Sequence, residues 1–300
     1  MSNETLIARI QSLYDTPLDP VPTELAPTLA PLDGIKAVLF DVYGTLLISA
    51  SGDIGLDSGR RARILLGELL TSAGIRAPSQ ACAESDGDAL VRDAIQAEHQ
   101  RARIQELDYP EVDIVAIWGQ LLDAQRVHAT PDQVCRVAIE HEGRSNVVWP
   151  MPGLATVLAH LRGTGLALGI VSNAQFYTPL ILEAFLGQPP DALGLDPDCS
   201  AWSYRLGVGK PSTAIYQPAL DGLRRKHGIA PEQVLYIGND RRNDIWPAAR
   251  LGMRTALFAG DARSLRLRPE DPTLASVTAD RVITELRQIP SLLAAPTPPT

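Results

Sequence analysis

Residues 35–47 read IKAVLFDVYGTLL, and this stretch decides the architecture. Ala37, Val38, Leu39 and Phe40 form a short unbroken apolar run, the pattern of a strand covered on both faces inside a parallel sheet. Asp41 stands at the end of that run and Gly44 breaks it. An acid placed there faces whatever lies beyond the carboxyl edge of the sheet.

The same grammar returns after Pro150. Residues 153–165 (GLATVLAHLRGTG) predict a helix closed by glycine, and 166–174 (LALGIVSNA) a buried strand. Helices are expected at 179–187 and at 212–228, the second bent near Pro218. VLYIGND (234–240) reads as a strand, IWPAARLG (245–252) as a helix and TALFAG (255–260) as a strand. Alternation of this kind means an α/β fold, a doubly wound parallel sheet with helices on both faces. Ligands of such sheets lie beyond the carboxyl ends of the strands. Asp41, Ser172 with Asn173, and Asn239 with Asp240 are therefore expected around one cleft. Lys210, flanked by Gly207, Gly209 and Pro211, sits in a loop built to fix it.

Between these halves the pattern turns helical. Residues 60–74, 88–105, 112–126 and 130–144 carry apolar residues three and four apart, and Thr130-Pro131 is a helix start. The expected organisation is an amino-terminal helix and proline-rich linker (1–34), an α/β core (35–47 and 149–290), a helical insertion after the first core strand (48–148) and a disordered tail (291–300). Residues 264–271, SLRLRPED, read as a surface loop with no role assigned to its arginines.

The chain has 300 residues, 45% of them hydrophobic, and a formal net charge of −8. That balance argues against nucleic acid or an anionic membrane as the main partner, while a small anionic substrate needs only a few local donors. Cys82, Cys135 and Cys199 have no paired spacing, so neither a disulfide framework nor a zinc cluster is indicated. No apolar run approaches the ~20 residues that span a bilayer. The amino terminus, MSNETLIARI, lacks a basic flank leading into an apolar signal core, so a cytoplasmic location is expected. Nothing here fixes an oligomeric state.

Four segments in order resemble the motifs of the haloacid dehalogenase superfamily, whose members are mostly phosphatases: DVYGT (41–45), SN (172–173), Lys210 in GVGKP, and GNDRRND (238–244). The resemblance covers about 35–50 and 150–265, and the helical insertion lies where that family often places a cap. It implies Asp41 as nucleophile, Tyr43 and Lys210 in the catalytic group, and Thr45, Ser172 and Asn173 as substrate-binding donors. It also implies Mg2+ held among Asp41, Tyr43, Asn239, Asp240 and Asp244. The chemistry agrees with this. A carboxylate nucleophile splits one hard displacement into two easier ones, a neighbouring lysine keeps it ionised, and clustered oxygen donors suit a hard cation.

Two positions depart from the family pattern. The residue two after the nucleophile, usually an aspartate that protonates the leaving alcohol, is Tyr43, and a phenol with a pKa near ~10 is a poor acid at neutral pH. Relatives that cleave carbon–halogen bonds carry the same tyrosine. Asn239 stands where the first acid of the fourth motif is expected, with Asp240 beside it. The leading expectation is magnesium-dependent hydrolysis of a small phosphorylated metabolite, with His99, Glu98 or His141 of the insertion as a substitute proton donor. The alternatives are haloacid hydrolysis, with Arg60, Arg61 or Arg63 gripping the substrate carboxylate, and a non-catalytic binding protein.

Overall fold

The structure, a computed structural model, describes residues 2–50, 63–104 and 108–293. The expected grips Arg60 and Arg61 lie outside the described residues, as do positions 294–300 of the expected tail.

The strands are β1 (Ala37–Phe40), β2 (Leu47–Ser49), β3 (Val148–Pro150), β4 (Ala167–Ser172), β5 (Ala201–Trp202), β6 (Val234–Gly238), β7 (Arg254–Phe258) and β8 (Arg281–Ile283). Six of them form one sheet in the order β5-β4-β1-β6-β7-β8, every pairing parallel. β1 is central. Phe40 lies in register with Ile170 on one side and Ile237 on the other, so the ends of β1, β4 and β6 reach the same edge. The chain winds outward from β1 in both directions, which leaves a crevice there. All four β1 side chains are fully buried, as the unbroken apolar run requires.

The helices are α1 (Asn3–Leu13), α2 (Leu66–Ser72), α3 (Gln80–Ala83), α4 (Gly87–Ile104), α5 (Ile114–Ala124), α6 (Pro131–Ser145), α7 (Leu154–Gly163), α8 (Thr178–Leu186), α9 (Ser203–Leu206), α10 (Gln217–His227) and α11 (Trp246–Arg250). α2 to α6 all fall between β2 and β3, which pair as an antiparallel ribbon. At Thr130 the helix start is a full capping box: its hydroxyl accepts from Gln133 N, and the Gln133 side chain accepts from Thr130 N. The bend near Pro218 is a change of helix type, with 3-10 geometry at Thr213–Tyr216 before α10. Proline at the first or second position of α10 needs no amide partner, so the break falls there.

Residues 15–34 form no helix and are mostly exposed, tied to the core at a few points. Thr28 N donates to Val282 O (2.8 Å) and Leu32 N to Leu292 O (2.7 Å), so the proline-rich segment covers the exposed edge of β8. α1 lies against α6 and α8: Arg9 forms a two-pronged ion pair with Glu140 of α6, and Gln11 donates to Ala184 O of α8. One boundary needs correction. The tail expected from 291 begins later, because Leu292 is fully buried and Leu293 bridges to Leu32; the hydrophobic pair at 292–293 completes the core next to Ile289. No helix among the described residues is long and apolar enough to cross a membrane.

Candidate active site

Asp41 follows β1 and is almost entirely enclosed. Its Oδ1 accepts from Ser172 Oγ (2.8 Å) and from Lys210 Nζ (2.6 Å); its Oδ2 accepts from no described side chain or amide. Ser172 closes β4 beside it. Lys210 comes from the loop after α9, and its ammonium also donates to Asp244 Oδ1 (2.6 Å) and Tyr236 Oη (3.3 Å). Asn173 fixes that loop from both directions. Its Oδ1 accepts from Lys210 N (2.7 Å) and its Nδ2 donates to Lys210 O (3.2 Å). Residues remote in sequence thus meet at the edge predicted from the strand order.

The charges shape one another. Burial pulls the Lys210 ammonium down, but Asp244 and Asp41 outweigh it and leave the lysine raised, hence charged. Burial pushes Asp244 up to about 7 against the pull of Lys210. Its Oδ2 accepts from Asp240 N (2.9 Å), so both of its oxygens are engaged within the protein.

The rest of the fourth motif is turned differently. After β6 the chain makes a π-helical turn at Arg241–Ile245, and the Asp240 side chain caps it by accepting from Arg242 N and Asn243 N. The same carboxylate takes a two-pronged ion pair from Arg268, with Nε at 2.9 Å from Oδ1. Asn239 Oδ1 accepts from Thr45 Oγ1 (3.2 Å), and its Nδ2 donates to Ser264 O. Thr45 therefore braces Asn239. Gly44 is required at this contact, since a Cβ there would lie 2.5 Å from Asn239 Nδ2 and its φ is +81°.

Tyr43 is half-buried, with its hydroxyl 2.9 Å from Thr178 Oγ1. Burial first, then the carboxylate of Glu142, raises its pKa well above the ordinary phenol value. The hydroxyl holds its proton.

Asp41, Tyr43, Asn173, Lys210, Asn239 and Arg266 line one pocket of about 70 Å³. A second cleft of about 330 Å³ adjoins it, sharing Asn173 and Lys210 and walled by the insertion through His99, Tyr109 and Glu111. The insertion is stitched to the lysine loop there: Gly209 N donates to Tyr109 O (2.8 Å) and Glu111 N to Gly207 O (3.1 Å). Burial raises the Glu111 carboxyl, and Ser203 Oγ donates to it at 2.7 Å. Of the three expected proton donors only His99 borders a cleft next to Asp41. Glu98 is paired with Arg101, and His141 Nε2 lies 3.2 Å from Asp88. Arg63 is turned to the Glu84 carbonyl and Asp86.

Arg266 and Arg268 are the site residues the sequence reading missed. Their only signal is position: two arginines just after β7, in a loop whose strand ends at the active edge.

The site can now be set beside known proteins. A family model described as a hydrolase, haloacid dehalogenase-like hydrolase, matches residues 35–252. The chain belongs to this family. A curated relative, the phospholysine phosphohistidine inorganic pyrophosphate phosphatase of Xenopus laevis, is 35% identical over 88 residues, 29% of this chain and 30% of that protein. The match thus spans under a third of the relative's length. Among solved structures, the 2-haloacid dehalogenase of Pseudomonas syringae pv. Tomato DC3000 gives a TM-score of 0.53 at 21% identity, covering 87% of this chain and 98% of the other. A HAD phosphatase from Thermococcus onnurineus gives 0.50 at 19% identity, covering 87% and 98%. At such identities these likenesses establish the haloacid dehalogenase-like fold, a Rossmann-type parallel core.

Proposed function

We propose that this hydrolase cleaves a small phosphorylated metabolite through an aspartyl-phosphate on Asp41. The observation that carries the reading is the state of that carboxylate. Ser172 and Lys210 hold one oxygen, the other accepts from no described donor, and Asp41 lines a pocket of about 70 Å³. In the first step Asp41 Oδ2 forms a bond to phosphorus while the bond to the leaving oxygen breaks. In the second, water attacks phosphorus and releases phosphate, which regenerates the carboxylate. Lys210, bonded to Asp41 Oδ1, offsets the charge of the transferring group. The larger cleft beneath the helical insertion holds the leaving group, and the insertion acts as a cap that excludes water.

Tyr43 does not serve as the acid in this reading, because its hydroxyl is turned to Thr178 and holds its proton tightly. His99, which lines the larger cleft, is the proton donor to the leaving oxygen in this reading, and acyl or aryl phosphates need no such help. The same tyrosine supports a second reading, hydrolysis of a short haloacid, in which halide leaves without a proton.

Magnesium takes hard oxygen donors, usually one or two carboxylates with waters completing the shell. Both oxygens of Asp240 and of Asp244 already accept protein donors. Asp41 Oδ2 accepts from no described donor, and Asn239 Oδ1 and Asp244 Oδ2 each accept one and keep a further lone pair, so the residues fit a magnesium ion with a smaller donor set than the sequence implied. Asp41, Asn239, Asp244 Oδ2 and the Tyr43 carbonyl would hold it. A bound magnesium ion would offset charge on the phosphoryl oxygens.

The test is turnover of p-nitrophenyl phosphate with and without EDTA, alongside chloride release from 2-chloropropionate. Phosphatase activity lost in Asp41→Asn is expected. Full activity in that variant would refute the aspartyl intermediate, activity unaffected by EDTA would remove the magnesium, and chloride release alone would select the second reading.

A further inference from the structure

We infer that Arg266 is a substrate-binding residue, taking the anionic head group of the substrate in the catalytic pocket. The inference rests on the hydrolase reading above and adds a specific recognition element to it.

Three observations lead there. Arg266 lines the same small pocket as Asp41, Tyr43 and Lys210. Its main chain is locked to the fourth motif on both sides: Arg266 N donates to Asn239 O (3.0 Å) and Arg241 N donates to Arg266 O (2.9 Å). The stem of the side chain is therefore as fixed as the end of β6. The third observation is what the guanidinium touches. Nη1 donates to the carbonyls of Arg263 (2.7 Å) and Leu265 (3.1 Å), and no described carboxylate pairs with the cation.

That last point separates Arg266 from the other cations of the site. Lys210 is shared between Asp41 and Asp244, and Arg268 is closed on Asp240. Of the two cations that line the pocket, Lys210 and Arg266, Arg266 is the one with no described carboxylate against it. An arginine with donors to spare presents a planar fork that matches two oxygens of a phosphate or carboxylate. The Arg268–Asp240 pair and the Asp240 cap hold the 264–268 loop in place, so the fork is preorganised. Asn239 belongs to the same arrangement, because an aspartate beside Arg266 would compete with the substrate for it.

The experiment measures binding of inorganic phosphate and, separately, propionate to the full chain by calorimetry, in native protein, Arg266→Gln and Arg266→Lys. The expected result is that phosphate binds Arg266→Gln about 10- to 100-fold more weakly, with partial recovery in Arg266→Lys and an unchanged unfolding midpoint. A loss confined to propionate would keep the residue's role and assign it to a carboxylate substrate. Labelling of native Arg266 by phenylglyoxal, read by mass spectrometry and blocked by the bound anion, gives the same answer should Arg266→Gln not fold. Equal anion affinity in native protein and Arg266→Gln overturns the inference, as does native protein that binds neither anion. Failure of the hydrolase reading looks different: anion binding that depends on Arg266 with no turnover of either substrate.

Discussion

Replacing Arg9 by methionine tests whether α1 fastens the helical insertion to the core. Glu140, the acid it meets on α6, is fully buried, while Arg9 is about one-third exposed at 34%. Removing one member of a buried ion pair costs ~3–5 kcal/mol, because the other charge is left without compensation. Two features reduce that here. Arg9 is partly solvated in the folded state, and Arg144 remains 3.4 Å from Glu140, so ~2 kcal/mol is the expected loss. For a chain of 300 residues that corresponds to a fall of roughly 3 °C in the unfolding midpoint. Urea unfolding followed by circular dichroism gives the free energy, and Glu140→Met with Arg9→Met together completes a double-mutant cycle. Two apolar side chains leave no buried carboxylate stranded, while Arg144 loses its acid but stays partly solvated and bonded to Ser72 Oγ, so the double variant should recover part of the single-variant loss. An Arg9→Met protein within ~0.5 kcal/mol of native would refute the reasoning, as that is the range of an ordinary surface change.

Two further predictions concern charge. Asp88 is held below the usual aspartate range by its hydrogen bond to His141, against the opposing effect of burial, with help from Arg92. A depressed carboxylate stabilises the fold above its unfolded pKa near ~4 and loses that contribution as pH falls through its folded value. Asp88→Asn should therefore be less stable than native by under ~1 kcal/mol near neutrality, since the pair is partly exposed. The difference should vanish under more acidic conditions; one that grows on acidification would contradict the assignment. Asn239→Asp sets a carboxylate oxygen against the Ser264 carbonyl that Asn239 Nδ2 now serves. A loss of ~1–3 kcal/mol is expected without divalent ions, with millimolar magnesium restoring more stability to the variant than it adds to native protein. Equal magnesium effects in thermal unfolding would show that position 239 does not face the cation.

Legibility in the sequence followed the range of the interaction involved. The β1, β4 and β6 runs announce buried strands through four or more consecutive apolar residues, and strand order then delivers Asp41, Ser172 and Asn239 to one edge. The two residues of β5 are too few to carry a period, and β8 is a three-residue strand flanked by polar positions. The proline-rich stretch was readable as extended, but its partner, the edge of β8, lies some 250 positions away in the chain and leaves no local trace. Arg268 was invisible for the same reason. Its left-handed backbone, with φ 47°, aims it back at Asp240 in a way no spacing rule foretells. Tyr43 could be seen as a departure from the family pattern, yet its turn toward Thr178 depends on α8 packing beside the β1 loop.

The fourth motif acquires its meaning from these long-range partners. Read as letters, 238–244 is an acidic cluster and suggests strong cation binding. In the folded chain Asp244 is tied to Lys210 and to the Asp240 amide, and Asp240 is tied to Arg268. Both acids act first as struts. One holds the lysine against Asp41, and the other holds the arginine loop against the turn after β6. Among the described residues, the pocket they frame keeps one carboxylate oxygen with no donor, on Asp41, and one arginine without an acidic partner, Arg266. In the reading proposed here, a carboxylate and an arginine that line one pocket of about 70 Å³ draw in a small anion and turn its electrophilic centre toward Asp41.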